Sequence, residues 1–240
     1  MKGYLIIAFS LLLCYPGFAQ ETGDYDYSRE FIWGATKATN SGLIGGLILR
    51  YGMKLQDRRY HHVSLEAVNI KHPQEKREFR STGTFIRGKV NYLYSIRLAY
   101  GREWLLFKKA PQQGVQISGI ISAGPSIGLE APYYISFSSS EGIIKVPYTP
   151  GVHHPEYIRG STGTFQSIAD SKVVPGVNSK AALSFEFGAF KSNVVGLETG
   201  FMFEAFSRGI AILGNQNNPD AFKRSVYPNA YVTLYYGTRL

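Results

Sequence analysis

The sequence predicts an all-β chain that closes as a transmembrane, antiparallel, up-and-down β-barrel of eight strands, or of ten if one further segment pairs. Three observations lead there. The last segment, Tyr231 to Leu240, alternates to its final residue, with Val232, Leu234, Tyr236 and Leu240 on one face and Tyr231, Thr233, Tyr235, Gly237 and Arg239 on the other. Long alternating segments of the same kind recur through the chain, each with one apolar face and one polar or small one. After residue 19 no apolar run approaches the ~18 residues of a spanning helix, whereas a barrel strand needs only about ten with one apolar face.

The first residues read as a removable leader: Lys2 precedes the apolar stretch Leu5 to Leu13, and Gly17-Phe18-Ala19 supplies small residues before Gln20. Residues 1–19 are therefore expected to be a secretory signal peptide. Lipidation at Cys14 is the rival, disfavoured because Tyr15-Pro16 follows where small residues are normal. Without the signal the chain keeps 25 Lys and Arg against 17 acidic residues, a net charge of +8, and loses its single cysteine. Disulfides, thiolate nucleophiles and cysteine metal sites are thereby excluded. The basic balance fits anionic lipid head groups; a nucleic-acid role is not expected, since no basic helix or stacking motif accompanies it. The 26 Gly, 17 Tyr and 15 Phe lean toward strands with close approaches and aromatic anchors.

Residues 20–41 are expected to form an N-terminal periplasmic segment and residues 42–240 the barrel. Gly42 to Gly52 and Arg59 to Ile70 open it, the second with Val63, Leu65 and Ala67 opposite His62, Ser64 and Glu66. The strongest alternation, Thr84 to Gly101, sets Ile86, Gly88, Val90, Tyr92, Tyr94, Ile96, Leu98 and Tyr100 against Arg87, Lys89, Asn91, Leu93, Ser95, Arg97 and Ala99. Gly114 to Gly128, Val177 to Ala189 and Val194 to Phe206 follow, and Tyr133 to Ser138 completes an even count. A partial strand at Phe31 to Thr36 would raise the number to ten. Short turns on the periplasmic side and long outer loops are the rule for such barrels. That rule places 101–113, 147–176 and 207–227 outside, and Glu130-Ala131-Pro132 and Lys191-Ser192-Asn193 in periplasmic turns. It leaves one misfit, a long polar connection at 71–83 where a short turn is required, beside a first outer loop, 53–58, that is too short. Ser-Thr-Gly-Thr-Phe occurs at 81–85 and again at 161–165, which reads as shared turn chemistry rather than a repeat architecture.

An eight-stranded barrel is too narrow for an open channel and is filled by its inward side chains. On the assigned faces these include Arg50, Glu66, Arg87, Lys89, Arg97, Lys180, Glu186, Glu198, Glu204 and Arg239, two signs in comparable number, expected to pair as an interior charge network. A selectivity lining for a narrow pore is the alternative. His62, Ser64 and Glu66 share a face and are nucleophile-activating types, faintly similar to the histidine-x-serine arrangement of outer-membrane lipid A deacylases, but they point away from lipid. His153-His154-Pro155-Glu156 could ligate a metal on composition alone. No catalytic, cofactor or metal residue is assigned.

The blocks Val68-Asn69-Ile70-Lys71-His72-Pro73, Asn91-Tyr92-Leu93-Tyr94-Ser95-Ile96-Arg97, Gly114-Val115-Gln116 and Ala123-Gly124-Pro125-Ser126-Ile127-Gly128-Leu129 resemble a family of uncharacterised outer-membrane β-barrel proteins of Bacteroidota. The resemblance spans most of the chain beyond the signal. It implies the barrel fold and an outer-membrane location, with no activity or catalytic residue to carry over. The terminal alternation at Val232, Leu234, Tyr236 and Leu240 is expected to serve as the insertion signal. Together these readings predict a non-enzymatic structural or accessory subunit of an envelope assembly, in contact with outer-membrane lipid and a protein partner; a narrow porin is the alternative, and a lipid-acting hydrolase the third reading.

Overall fold

The computed structural model describes residues 28–42, 45–80, 83–108, 114–140, 142–162, 164–187, 193–215, 218 and 220–239. The expected signal peptide, Leu240 and the expected turn residues Lys191 and Ser192 lie outside them.

Eight strands close into one barrel: β1 (Arg29–Ala38), β2 (Gly46–Gln56), β3 (Arg59–Ile70), β6 (Asn91–Phe107), β7 (Gln116–Pro132), β11 (Lys172–Phe187), β12 (Asn193–Ile210) and β13 (Arg224–Arg239). Each pairs antiparallel with its neighbours in chain order, and β1 closes the ring on β13 with Glu30 opposite Arg239 and Thr36 opposite Thr233. The result is an up-and-down barrel without a free sheet edge. Five short strands lie outside it. β4 (Arg77–Arg80) and β5 (Gly83–Ile86) form a hairpin, while β8 (Tyr134–Ser139), β9 (Gly142–Pro147) and β10 (Ile158–Ser161) form a three-stranded sheet. A one-turn 3-10 helix at Pro155–Tyr157 and a short helix α1 (Thr164–Ala169) complete this second layer.

Period-two alternation governs every barrel strand. In β3 the side chains of Tyr60, His62, Ser64, Glu66, Val68 and Ile70 are buried inside, and Val63, Leu65 and Ala67 are exposed outside. The outward faces line up across strands. Trp33, Leu49, Leu65 and Leu98 stand in one cross-strand row and are 54, 45, 46 and 49 % exposed, so an apolar wall surrounds a polar interior. Water-soluble proteins bury such a surface, and a lipid-facing barrel requires it.

The connections fall into two sets. The turn 57–58 and the links 108–115 and 188–192 join strands at the end where β1 starts and β13 stops; we call this the turn end. The links 39–45, 71–90, 133–171 and 211–223 lie at the opposite, cap end. This division corrects several expectations. The barrel begins at Arg29, because Glu30, Ile32, Gly34 and Thr36 point in and Phe31, Trp33 and Ala35 point out. Tyr133 to Ser138 is not a barrel strand: β7 runs through Glu130-Ala131-Pro132, predicted to be a periplasmic turn, and Tyr134–Ser139 pairs in the outer sheet. The eighth strand is β1 rather than that segment, which shifts the direction of the early strands. The 71–83 misfit thereby disappears, since this connection belongs to the cap end and the short turn at 57–58 to the turn end. Segment 101–113 is likewise no outer loop: β6 continues to Phe107 and turns at the turn end.

The alternation from Thr84 to Gly101 also divides. Gly83–Ile86 is β5, and Arg87-Gly88 turns with Gly88 at φ +77°, a left-handed conformation that a residue with a Cβ rarely adopts. The barrel strand starts only at Asn91.

Candidate functional site: an interior charge ladder beneath a folded cap

Inside the barrel the inward charges assemble into two connected groups. Near the turn end Arg239 donates to Glu30 (2.7 Å) and to both oxygens of Glu186 (2.8 Å for the Nη1 bond). Further in, Glu198 accepts from Arg50, from the Tyr231 hydroxyl (2.6 Å) and lies 3.2 Å from the Lys180 ammonium. Lys180 also donates to Glu66 (2.7 Å), Glu66 approaches Arg97 at 3.5 Å, and Arg97 donates to Glu204 (2.7 Å), which takes a further bond from the Ser95 hydroxyl (2.5 Å). These partners come from β2, β3, β6, β11, β12 and β13, so the ladder ties together walls that share no backbone pairing. Tyr231 and Tyr235 fill the space between charges. Tyr235 donates or accepts at Ser184 (2.7 Å) and needs the missing side chain of Gly196, where a Cβ would lie 2.3 Å from its hydroxyl.

The structure thus brings Arg50, Glu66, Arg97, Lys180, Glu186, Glu198, Glu204 and Arg239 into the interior and leaves two of the assigned residues out. Arg87 is at the hairpin turn, exposed, and donates to Glu78 (2.7 Å). Lys89 is buried in the cap, donating to Glu75 (2.7 Å) and lying 4.6 Å from the Tyr92 ring centre. Both followed strand-like parity through a turn. Three inward carboxylates escape the sequence reading, Glu30, Glu103 and Glu130, because their segments are assigned to a periplasmic arm, an outer loop and a periplasmic turn; all three are buried. Val232, Leu234 and Tyr236 face outward from β13, and Leu240 lies outside the described residues.

His62 and Ser64 are both buried inside the barrel, and neither makes a hydrogen bond among the described residues, so no hydroxyl-to-imidazole pair exists there. His153 lies in the cap, where Nδ1 accepts from the Thr149 amide (3.0 Å) and the ring packs edge-on to Phe137.

Above the ladder the interior turns apolar. Val68, Ile70, Leu93, Val174, Phe206, Ile210, Ile212 and Tyr227 form one buried cluster across the cap end of the barrel. Ile212 reaches it from the β12–β13 connection, which straps the mouth: the Val90 amide donates to Ile212 O (2.9 Å), Asn91 Nδ2 to Ala211 O (2.8 Å) and the Gly214 amide to Gly88 O (2.7 Å). β12 and β6 are separated in the ring by β11 and β7, so the strap crosses the opening. Over it sits the cap, with a core of its own: Phe85, Tyr133, Ile135, Tyr148 and Ile158. The Tyr133 hydroxyl accepts from the Ile86 amide (3.0 Å), fastening the hairpin to the sheet, and β5 meets β10 where Gly83 faces Gly160. The first Ser-Thr-Gly-Thr-Phe copy thus runs into β5, while the second begins at the end of β10. Between the hairpin, the turn at Tyr148 and Pro150, and the strap lies a cleft of about 480 Å³, bordered by Lys76, Glu78, Arg87, Asn215 and Phe222.

Two of the cap histidines, His72 and His153, carry a pH dependence. Burial, with Arg224 and Lys89 nearby, holds His72 below the usual imidazole range against the opposing pull of Glu75, and burial does the same to His153. A depressed histidine favours the folded state while neutral, so this stabilisation is present above about pH 6.5 and lost as pH falls below it. Protection factors of the cap amides, taken relative to the intrinsic exchange rate at each pH, should therefore fall between pH 7.5 and 5.5, and the double variant H72Q/H153Q should flatten that dependence. An unchanged profile in the double variant would show that other groups set it.

No protein-family model matches the chain, and no curated protein matches it. Among solved structures it is similar to Neisserial surface protein A, at 12 % identity over 88 % of this chain and 96 % of that one, with a TM-score of 0.37. It is also similar to Ail, the attachment invasion locus protein of Yersinia pestis in complex with the heparin analogue sucrose octasulfate, at 11 % identity over 90 % of this chain and 100 % of that one, with a TM-score of 0.40. Likenesses at this level say nothing of ligand or role, and the barrel rests on its own strand pairing.

Proposed function

We propose that the protein is a small integral outer-membrane β-barrel, related to the Bacteroidota family it resembles, that acts as a structural or accessory subunit of an envelope assembly rather than as an enzyme or a pore. The observation that carries this reading is the folded cap: a second apolar core, built from two connections, held on a mouth that a third connection straps and fills with Ile212 and its neighbours. A barrel whose loops serve only to join strands has no need of such a core, whereas a rigid platform on a membrane anchor suits recognition of a partner. The apolar outer wall supports the membrane location, and the turn end then faces the periplasm. Paired charges and an apolar layer leave little room for ions, which favours the closed lumen over the porin alternative.

Affinity purification of the tagged protein from outer membranes in mild detergent, with stoichiometry read by mass spectrometry, tests the assembly role. A defined partner at near-equal ratio, lost when the cap core is opened by Y133A, is the expected result. A solitary protein in repeated preparations overturns the accessory reading.

A further inference from the structure

The outer wall near the turn end is electrically lopsided. Phe31, Tyr51, Val63 and Tyr100 occupy one cross-strand row over β1, β2, β3 and β6. Two residues further toward the turn end, about 6.6 Å along the strands, the row reads Arg29, Met53, His61 and Arg102. Arg59 lies beyond it opposite Trp104, and Arg58 occupies the adjoining turn. All four arginines are exposed, and none forms an ion pair among the described residues. The opposite wall differs. There the described outward residues of β11, β12 and β13 at the same end, Phe187, Asn193, Val195, Tyr236 and Thr238, carry no charge, and the cations at that end of the remaining wall, Lys108, Lys109 and Lys191, belong to the links rather than to the strands.

Arg58 adds a second observation. Its φ of 59° lies in the left-handed region, where glycine or asparagine is the cheap choice, yet the turn keeps a guanidinium there. A two-residue hairpin turn itself calls for a positive φ, and the residue that meets this demand here is a cation.

Aromatic rings followed outward by cations reproduce the order of a membrane interface, ring at the carbonyl level and cation at the phosphate level. Guanidinium groups also match phosphate oxygens with two parallel donors. We infer that the arginine strip over β1, β2, β3 and β6 is a binding site for an anionic glycerophospholipid headgroup of the periplasmic leaflet. This inference rests on the membrane reading above, because the strip meets phosphates only if the apolar wall is in a bilayer. An acidic run of this chain, Glu21, Asp24 and Asp26, is the competing occupant.

The test places the full chain in nanodiscs holding equal phosphatidylglycerol and phosphatidylcholine of the same acyl chains, then counts co-purified lipids by native mass spectrometry. Phosphatidylglycerol should be enriched, and R29Q/R59Q/R102Q should lower that enrichment by roughly fivefold for each cation lost. R58Q/R102Q provides a second variant should the triple one fold poorly, with folding checked by heat-dependent gel mobility. Equal retention of the two lipids overturns the inference, as does a preference that survives both variants. A preference that emerges only in E21Q/D24N/D26N also overturns it, assigning the strip to the acidic run. Failure to enter nanodiscs of any composition would instead count against the membrane reading itself.

Discussion

Replacing Glu198 with glutamine is expected to destabilise the barrel by about 3–5 kcal/mol, the usual consequence of leaving a buried cation without its counter-charge. Glu198 is fully buried and serves three partners at once: Arg50, Lys180 and the Tyr231 hydroxyl. Lys180 retains Glu66 in the variant, but Arg50 has no other ion-pair partner among the described residues. The stranded guanidinium is therefore the main source of the loss. Removing it as well, in E198Q/R50M, should recover a good part of the stability, since an apolar chain of similar length no longer carries an unpaired charge. Urea unfolding in phospholipid vesicles followed by tryptophan fluorescence reads both variants. A single variant as stable as the wild type would mean that the ladder is not what ties β2 to β11 and β12.

The second large effect is expected on the other side of the wall. Leu65 lies mid-strand in the row Trp33, Leu49, Leu65 and Leu98, with its side chain outward. Leu65→Arg should cost about 2–4 kcal/mol if that row lies at the bilayer midplane, and insertion into vesicles should slow accordingly. On a water-exposed surface the same change would be neutral or would improve solubility, so its sign separates a lipid-facing wall from a wet one. A smaller penalty for T238R, at the turn end of β13, would further show that the effect follows depth.

Much of the fold was legible because alternation is a local property. The inward and outward sets of β3, β6, β7, β11, β12 and β13 follow directly from period two, and with them most of the interior charges. What local parity cannot report is where a strand stops. Ile86, Gly88 and Val90 alternate with Arg87 and Lys89 as a strand would, yet the chain turns at Gly88, and the two cations leave the lumen for a hairpin and a cap. The eighth strand was hidden for a related reason. Phe31 to Thr36 is short, interrupted by Gly34, and follows a polar run, so the weaker Tyr133 to Ser138 took its place in the count. That substitution reversed the expected direction of the early strands, created the 71–83 misfit, and concealed Glu30, Glu103 and Glu130 in segments assigned to loops and turns.

The cap was not legible at all. Its core joins Phe85, Tyr133, Tyr148 and Ile158 across more than seventy residues, and each sits in a stretch too short to show a period. One signal was present: Ser-Thr-Gly-Thr-Phe recurs at the two places where the hairpin and the outer sheet meet. The strap at Ala211-Ile212-Leu213 left a trace as well, three apolar residues that precede the polar run Asn215 to Asp220.

Closure of the lumen by the barrel's own side chains can be read by planar-bilayer recording of the purified, folded protein. The wild type should give no discrete conductance steps, and step-like openings should appear once the strap is loosened by I212G/L213G. Regular, voltage-stable channels from the wild type would contradict the closed lumen and return the protein to the porins.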